Sequence, residues 1–312
     1  MTVTAAPTAS THSTFRYLDP KSVQPGKKLW SKVDTGGYAG FGRVILDRPV
    51  YNARDNAADF RDVDRTGFAF HEYPSAIPGD RVLADGPEVR GAYYAEVEAA
   101  LRAKLSTGDK VKRVIIFDHT IRVHDPAAAR QPVQSVHVDQ TPGAAETRVR
   151  RHAGADADEL LKGRYQLINV WRPLEHASSD FPLGVIDWRT AKNADLVPTD
   201  LMYPVREPGD DGDDRGKERL PDPNTFDSLE GYRIGGETYN VLPNDTHRFY
   251  YVKDMQPEEV MFIKCFDSHS EDNGGPEGLA GFTPHTAFID PKTPADAKPR
   301  QSIEVRCLVF YD

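Results

Sequence analysis

The chain has 312 residues, 38% hydrophobic and 28% charged, enough to bury a substantial core as one large domain or two small ones. No apolar run approaches the ~20 residues of a membrane span, and the start, MTVTAAPTASTHSTF, lacks the basic and apolar segments of a secretory signal. The net charge of -9 argues against nucleic acid as the main partner, because phosphate binding needs a basic face; a cytoplasmic protein with no membrane partner is expected, of unstated oligomeric state.

Residues 15 to 60 mix Phe15, Tyr17, Trp30, Tyr38, Phe41 and Tyr51 with Pro20, Pro25, Gly36 and Gly37, which fits short strands and loops better than helices. Asn52 to Arg65 is polar and irregular. Val89 to Leu105 carries apolar residues at helical spacing in an Ala-rich segment and predicts a helix. Lys112 to Phe117 predicts a strand that residues 121 to 123 continue, and Ala127 to Gln134 is a linker. A second helix is expected over Ala144 to Gly163, followed by strands at Tyr165 to Trp171 and Gly184 to Trp188. Residues 189 to 247 contain the longest irregular region expected in the chain. Its charged run Asp210 to Glu218 is either a solvated loop or part of a lid over a site. Strands at 247–252, 259–266, 284–289 and 302–311 complete the chain. Cys265 and Cys307 each sit in an apolar strand, without the spacing of a disulfide framework or a zinc finger, and are expected as buried thiols. Many short strands with Gly/Pro turns and no recurring period predict a mainly β fold with flanking helices, a jelly-roll (double-stranded β-helix) core. Residues 1–312 are expected as a single domain, with 1–130 flanking a core at 131–312 and any lid falling within 189–247.

Chemistry concentrates in Ser135-Val-His-Val-Asp-Gln-Thr-Pro142. In a strand, residues i and i+2 share a face about 7 Å apart along the chain, so His137 and Asp139 can converge on one metal while Val138 packs behind. A surface or hydrogen-bonded pair is the plain alternative, and His269-Ser-Glu271 has the same spacing. With one distant histidine the set becomes two His and one carboxylate, the facial arrangement that suits non-haem Fe(II) and oxygen. The last strand divides by face: Gln301, Ile303, Val305, Cys307, Val309 and Tyr311 form an apolar row, Arg300, Ser302, Glu304 and Arg306 a polar one. The polar row faces either water or a wet interior. Arg300 with Ser302 is a cradle for a carboxylate, since a guanidinium binds it bidentately and the hydroxyl adds a donor. His285 begins the preceding strand.

The order His137-x-Asp139, His285, Arg300-x-Ser302 resembles the Fe(II)/2-oxoglutarate-dependent oxygenases. The segments YQLINVWRP at 165–173, HRFYYVKDMQPEEVMFIKCFD at 247–267, and PHTAF with PRQSIEVR between 284 and 306 are similar to the hydroxylase/desaturase family that includes fungal gibberellin desaturase and a cephamycin methoxylation component. This resemblance covers roughly residues 110 to 312 and leaves the N-terminal third unmatched. It implies metal ligation by His137, Asp139 and His285, and 2-oxoglutarate binding by Arg300 and Ser302. It further implies Fe(II), 2-oxoglutarate and O2 as cofactors and a small secondary metabolite as substrate. Asn169, Trp171, Arg172, Lys264 and Arg306 belong to the shared segments as catalytic or substrate-binding candidates of no settled role. Arg172 either anchors substrate or fixes a loop by a salt bridge. Lys264 either binds a carboxylate or packs its stem while its head reaches water. His247 reads as a structural histidine, and His269 is the fallback third ligand. Two rivals remain: a jelly-roll metal enzyme that does not use 2-oxoglutarate, and a non-enzymatic ligand-binding sandwich with Trp171 and Trp188 as a platform.

Overall fold

The computed structural model describes residues 8–33, 39–128, 130–205 and 228–312. Within them the strands are β1 (Thr11–Leu18), β2 (Leu29–Lys32), β3 (Arg43–Asn52), β4 (Phe68–Glu72), β5 (Val111–Val123), β6 (His137–Val138), β7 (Tyr165–Pro173), β8 (Leu183–Ile186), β9 (Leu196–Pro204), β10 (Tyr232–Val241), β11 (Phe249–Tyr251), β12 (Glu259–Asp267), β13 (His285–Ala287) and β14 (Gln301–Tyr311). The helices are α1 (Val63–Thr66), α2 (Gly79–Leu83), α3 (Tyr94–Lys104), α4 (Pro142–Ala153) and α5 (Ala157–Leu160). One sheet has nine strands in the order β1-β3-β11-β8-β13-β6-β10-β9-β2, and the other has five in the order β4-β12-β7-β14-β5. The fold is the jelly roll expected from the strand pattern.

Trp171, Leu308, Phe310, Phe68 and Met261 of the five-stranded sheet share one core with Val185, Leu183 and Tyr250 of the other. The outer face of the five-stranded sheet is covered by α3. Val97, Ala100 and Leu101, at helical spacing, meet Ile303, Val305, Cys307 and Val309 in a second core. The apolar row of β14 therefore packs under a helix, and its polar row points between the sheets: Ser302 and Glu304 are buried there, and Arg300 just before them is only 3% exposed. β7, between β12 and β14, is buried along its whole length. The N-terminal strands β1 and β3 join the nine-stranded sheet, while β4 and β5 join the other.

Several local expectations are corrected. Among the described residues of 189–247, β9 and β10 are ordered strands that pair antiparallel from Leu196↔Val241 to Pro204↔Tyr232. The run Asp210 to Glu218, and with it the lid reading, lies outside the described residues. The two segments of 111–123 are one 13-residue strand. The helix expected over 144–163 breaks after Ala153, where Gly154 has φ +60, and resumes as α5. The strand expected over 184–188 ends at Ile186, because Asp187 caps a 3-10 turn by accepting from Arg189 N–H. Among the described residues no helix is long and apolar enough to cross a membrane. Both cysteines are free, buried thiols.

Candidate active site

β6 and β13 are neighbours in the middle of the nine-stranded sheet, paired antiparallel with His137 directly opposite His285. The two imidazoles lie 4.4 Å apart between ring centroids. Each is oriented by its own chain: Nδ1 of His137 lies 2.8 Å from the Ser135 carbonyl oxygen, and Nδ1 of His285 3.0 Å from that of Thr283. A carbonyl only accepts, so Nδ1 carries the proton and Nε2 presents its lone pair, the usual outer support of a metal-bound histidine. Asp139 completes the group, its Oδ1 lying 3.5 Å from Nε2 of His137. One ligand atom from each of His137, Asp139 and His285 falls within 4.8 Å of the other two. His269, the fallback, is not part of this group.

The second oxygen of Asp139 faces protein. Oδ2 accepts from Nδ2 of Asn169 at 2.6 Å, with Nε of Arg306 at 3.9 Å and the Cys265 thiol at 4.0 Å. Burial would raise the Asp139 carboxyl, but the His137 contact and the charges of Arg306 and His285 outweigh it and hold it well below the carboxylate range. Burial, then the neighbouring His137, depresses His285. For His137 burial depresses too, yet the Asp139 contact, its charge and the Ser135 carbonyl prevail and raise it. An ionised carboxylate and a neutral imidazole are the forms a metal binds. Two imidazoles and a carboxylate on one side of a site fit Fe(II) and leave positions for other ligands.

Arg300 and Ser302 form the second cluster, on β14 and the residue before it. Nε of Arg300 donates to Oγ of Ser302 at 3.0 Å and Nη1 to the Phe181 carbonyl at 2.8 Å, while the guanidinium carbon stands 5.1 Å from the Trp171 ring centroid. Among the described residues no carboxylate pairs with this guanidinium. Burial, and next the charge of Arg122, pulls it down to about 9. The two flanks of the fork are used by Ser302 and Phe181, which leaves its Nη1/Nη2 end for an incoming carboxylate.

Asn169 and Trp171 thus join the site, and Arg306 borders it. Nη1 of Arg306 donates to Asp118 at 3.1 Å and Thr120 at 2.8 Å, and Nη2 to Glu304 at 2.7 Å. Burial lowers it, but Glu304, Asp139 and Asp118 lift it strongly. Strand alternation sends Arg172 to the opposite face, where it donates to the carbonyls of Pro257 at 2.9 Å and Tyr73 at 2.8 Å. It fixes two loops, by carbonyl hydrogen bonds rather than a salt bridge. A cleft of about 270 Å³ lined by Tyr93, Arg172 and Pro257 opens there, and none of His137, Asp139 and His285 lines it. Lys264 does not reach water. Its fully buried ammonium contacts Asp64 at 2.5 Å, Asp267 at 2.9 Å and the Ala280 carbonyl at 2.9 Å, three acceptors for three donors. His247 is structural as expected, held between Tyr17 at 3.0 Å and Asp195 at 3.1 Å. Trp188 donates to Asp272 at 2.9 Å and forms no platform with Trp171.

Sequence reasoning gave no role to Glu304, although it stands on the same row as Ser302 and Arg306. It also passed over Asp118, Asp180 and Phe181. A bulge in the β5–β14 register between Arg306 and Cys307 skips Phe117 and brings Asp118 opposite Arg306; strand periodicity alone does not show it.

A double-stranded β-helix with a two-histidine, one-carboxylate group on and just after its short inner strands, and a buried arginine with no carboxylate partner among the described residues just before β14, is the arrangement of the Fe(II)/2-oxoglutarate-dependent oxygenases. The comparisons place the chain within that class. The family model described as "YDMC: Oxidoreductase/YMDC permease-like domain" matches residues 16–310, which extends the likeness into the N-terminal third. The hydroxylase/desaturase efuI of Hormonema carpetanum is 32% identical over 281 residues, 84% of this chain and 83% of that protein. The Fe(II)/2-oxoglutarate-dependent dioxygenase nvfI of Aspergillus novofumigatus is 32% identical over 266 residues, 83% of this chain and 81% of its own. A solved structure of the iron and alpha-ketoglutarate-dependent endoperoxidase NvfI superposes with a TM-score of 0.74 at 27% identity, covering 96% of this chain and 97% of that one. The chain belongs to the hydroxylase/desaturase family of Fe(II)/2-oxoglutarate-dependent dioxygenases, oxidoreductases that use Fe(II), 2-oxoglutarate and O2.

Proposed function

We propose that His137, Asp139 and His285 hold Fe(II), that Arg300 and Ser302 grip the distal carboxylate of 2-oxoglutarate, and that the enzyme oxidises a C–H bond of a small secondary metabolite by hydroxylation, desaturation or a related outcome. Fe(II) with 2-oxoglutarate and O2 supplies the oxidising power, with succinate and CO2 as co-products. The chain's own part is geometric. Nδ1 anchoring fixes both imidazoles before any ligand arrives, and Asn169 turns one Asp139 oxygen away from the metal position. Trp171 backs one side of the Arg300 guanidinium. Neither nucleic acid nor a membrane is a partner in this reading, and the cytoplasm is the compartment that fits it.

The observation that carries the proposal is the Arg300 guanidinium, 3% exposed and without a carboxylate partner among the described residues, on the same strand face as the approach to the three ligands. Anaerobic titration with Fe(II), with and without 2-oxoglutarate, tests it. The weak visible charge-transfer band of the chelate should develop only with both present, and Arg300→Ala should need far more 2-oxoglutarate to produce it. A band that forms equally well in the Arg300→Ala protein would reject the cradle.

A further inference from the structure

The fork of Arg300 is aimed by a segment that precedes β8. The backbone N–H of Arg300 donates to Oδ2 of Asp180 at 2.9 Å, and the same oxygen lies 2.6 Å from Nδ1 of His124. His124 N–H in turn donates to the Arg300 carbonyl at 2.8 Å. Phe181 gives its carbonyl to Nη1 of Arg300 at 2.8 Å and sets its ring 4.0 Å from that of His124. Its φ of +42 is a left-handed conformation that a bulky residue rarely adopts without support. The support is visible: Ser179 donates to Asp254 at 2.6 Å and Ser178 N–H to the Met255 carbonyl at 2.9 Å.

We infer that Asp180 and Phe181 are positioning residues for 2-oxoglutarate, forming with His124 a latch that holds Arg300 with one end of its fork open. This rests on the reading of Arg300 as the cosubstrate anchor. Two features favour the latch over a merely structural loop. Asp180 is an acid beside Arg300, yet its carboxylate is tied to a backbone N–H and to His124 rather than to the guanidinium, so this neighbouring anion is kept off the fork. The Phe181 carbonyl, a neutral acceptor, takes one flank of the guanidinium without cancelling its charge. The segment then runs into β8, whose Val185 pairs with His285, so one stretch of chain touches both the anchor and a metal ligand.

The test uses Fe(II)-loaded, anaerobic protein titrated with 2-oxoglutarate and separately with pyruvate, a 2-oxo acid that lacks the distal carboxylate. Asp180→Ala should weaken 2-oxoglutarate roughly tenfold, the scale of one hydrogen bond to a charged group. Pyruvate and Fe(II) affinity should change less than about twofold, within ordinary variation between independent sites. Asp180→Asn, which keeps an acceptor oxygen, should recover most of the loss. In an Arg300→Ala background Asp180→Ala should add nothing, because it acts only through Arg300. Wild-type 2-oxoglutarate affinity in Asp180→Ala, equal weakening of pyruvate, or full additivity with Arg300→Ala would each overturn the latch. Unchanged affinity in Arg300→Ala alone would instead remove the anchor on which it stands. If Asp180→Ala folds poorly, His124→Ala serves: a smaller loss confined to 2-oxoglutarate supports the latch, and no loss rejects it.

Discussion

Asn169 shows how a single side chain decides what a carboxylate can do. Its 2.6 Å bond to Oδ2 leaves Asp139 one oxygen for the metal position, and outer partners of this kind typically hold ~10–100-fold in metal affinity. Asn169→Ala should therefore lower Fe(II) affinity on that scale with the fold intact, measured by chelator competition. If affinity is unchanged, Arg306 and the backbone suffice to aim Asp139. For the proposed ligands, His285→Ala should abolish Fe(II) occupancy and His269→Ala should leave it full; the reverse result would move the third ligand to the turn. At the proposed cosubstrate cradle, Ser302→Ala should cost about 1.5–3 kcal/mol of 2-oxoglutarate binding. Arg300→Lys should retain only part of the wild-type affinity, having charge but no fork.

Elements aim these residues through close contacts, and Gly67 makes one of them. It lies between α1 and β4 with φ +85, and a Cβ there would stand 2.6 Å from Oγ1 of Thr283 and 2.7 Å from the Phe282 carbonyl. Thr283 is the residue whose carbonyl orients His285. Gly67→Ala should destabilise by at least ~1–3 kcal/mol, the scale of a strained backbone position, and should weaken Fe(II) binding as well. Urea denaturation beside chelator competition checks both, and lost stability with intact affinity would detach Thr283 from the site. Such contacts explain what the sequence shows and what it hides. His137, Asp139, Arg300 and Ser302 are legible because strand alternation puts i and i+2 on one face, whatever the rest of the chain does. α3 is legible from its spacing. β9 and β10 were passed over because Tyr232 to Val241 holds Gly235, Gly236 and several polar residues, and its order comes from pairing with Leu196 to Pro204. Lys264 was misplaced because its acid partners are Asp64, far away in the chain, and Asp267; only the folded sheet brings Asp64 to it.

At the scale of the molecule, that buried ion cluster joins α1 to β7 and β12. Arg164 contacts Asp64 at 2.9 Å and Asp267 at 2.6 Å, beside Lys264. Burial would raise both carboxyls, but the charges of Lys264 and Arg164 prevail and hold them below the usual range. Depressed folded-state values contribute stability that is fully present above the unfolded value of about 3.9 and is lost as pH falls through the folded ones. Unfolding free energy should therefore drop below about pH 4. Lys264→Met, which leaves two buried carboxylates short of a partner, should cost about 3–5 kcal/mol at neutral pH and flatten that acid slope. Urea curves at both pH values decide it, and an unaltered slope would assign acid sensitivity elsewhere. The placing of β14 has a consequence for how the protein is made. It is the last of the described strands in chain order, yet it lies between β7 and β5, which are translated long before it. At about 5–20 residues per second, those two strands wait on the ribosome, several seconds or more, with unpaired edges facing the gap that β14 will fill. A nascent chain stalled before Arg300 should be open to protease along both strands and should depend on holdase chaperones, becoming resistant only once β14 has emerged and paired.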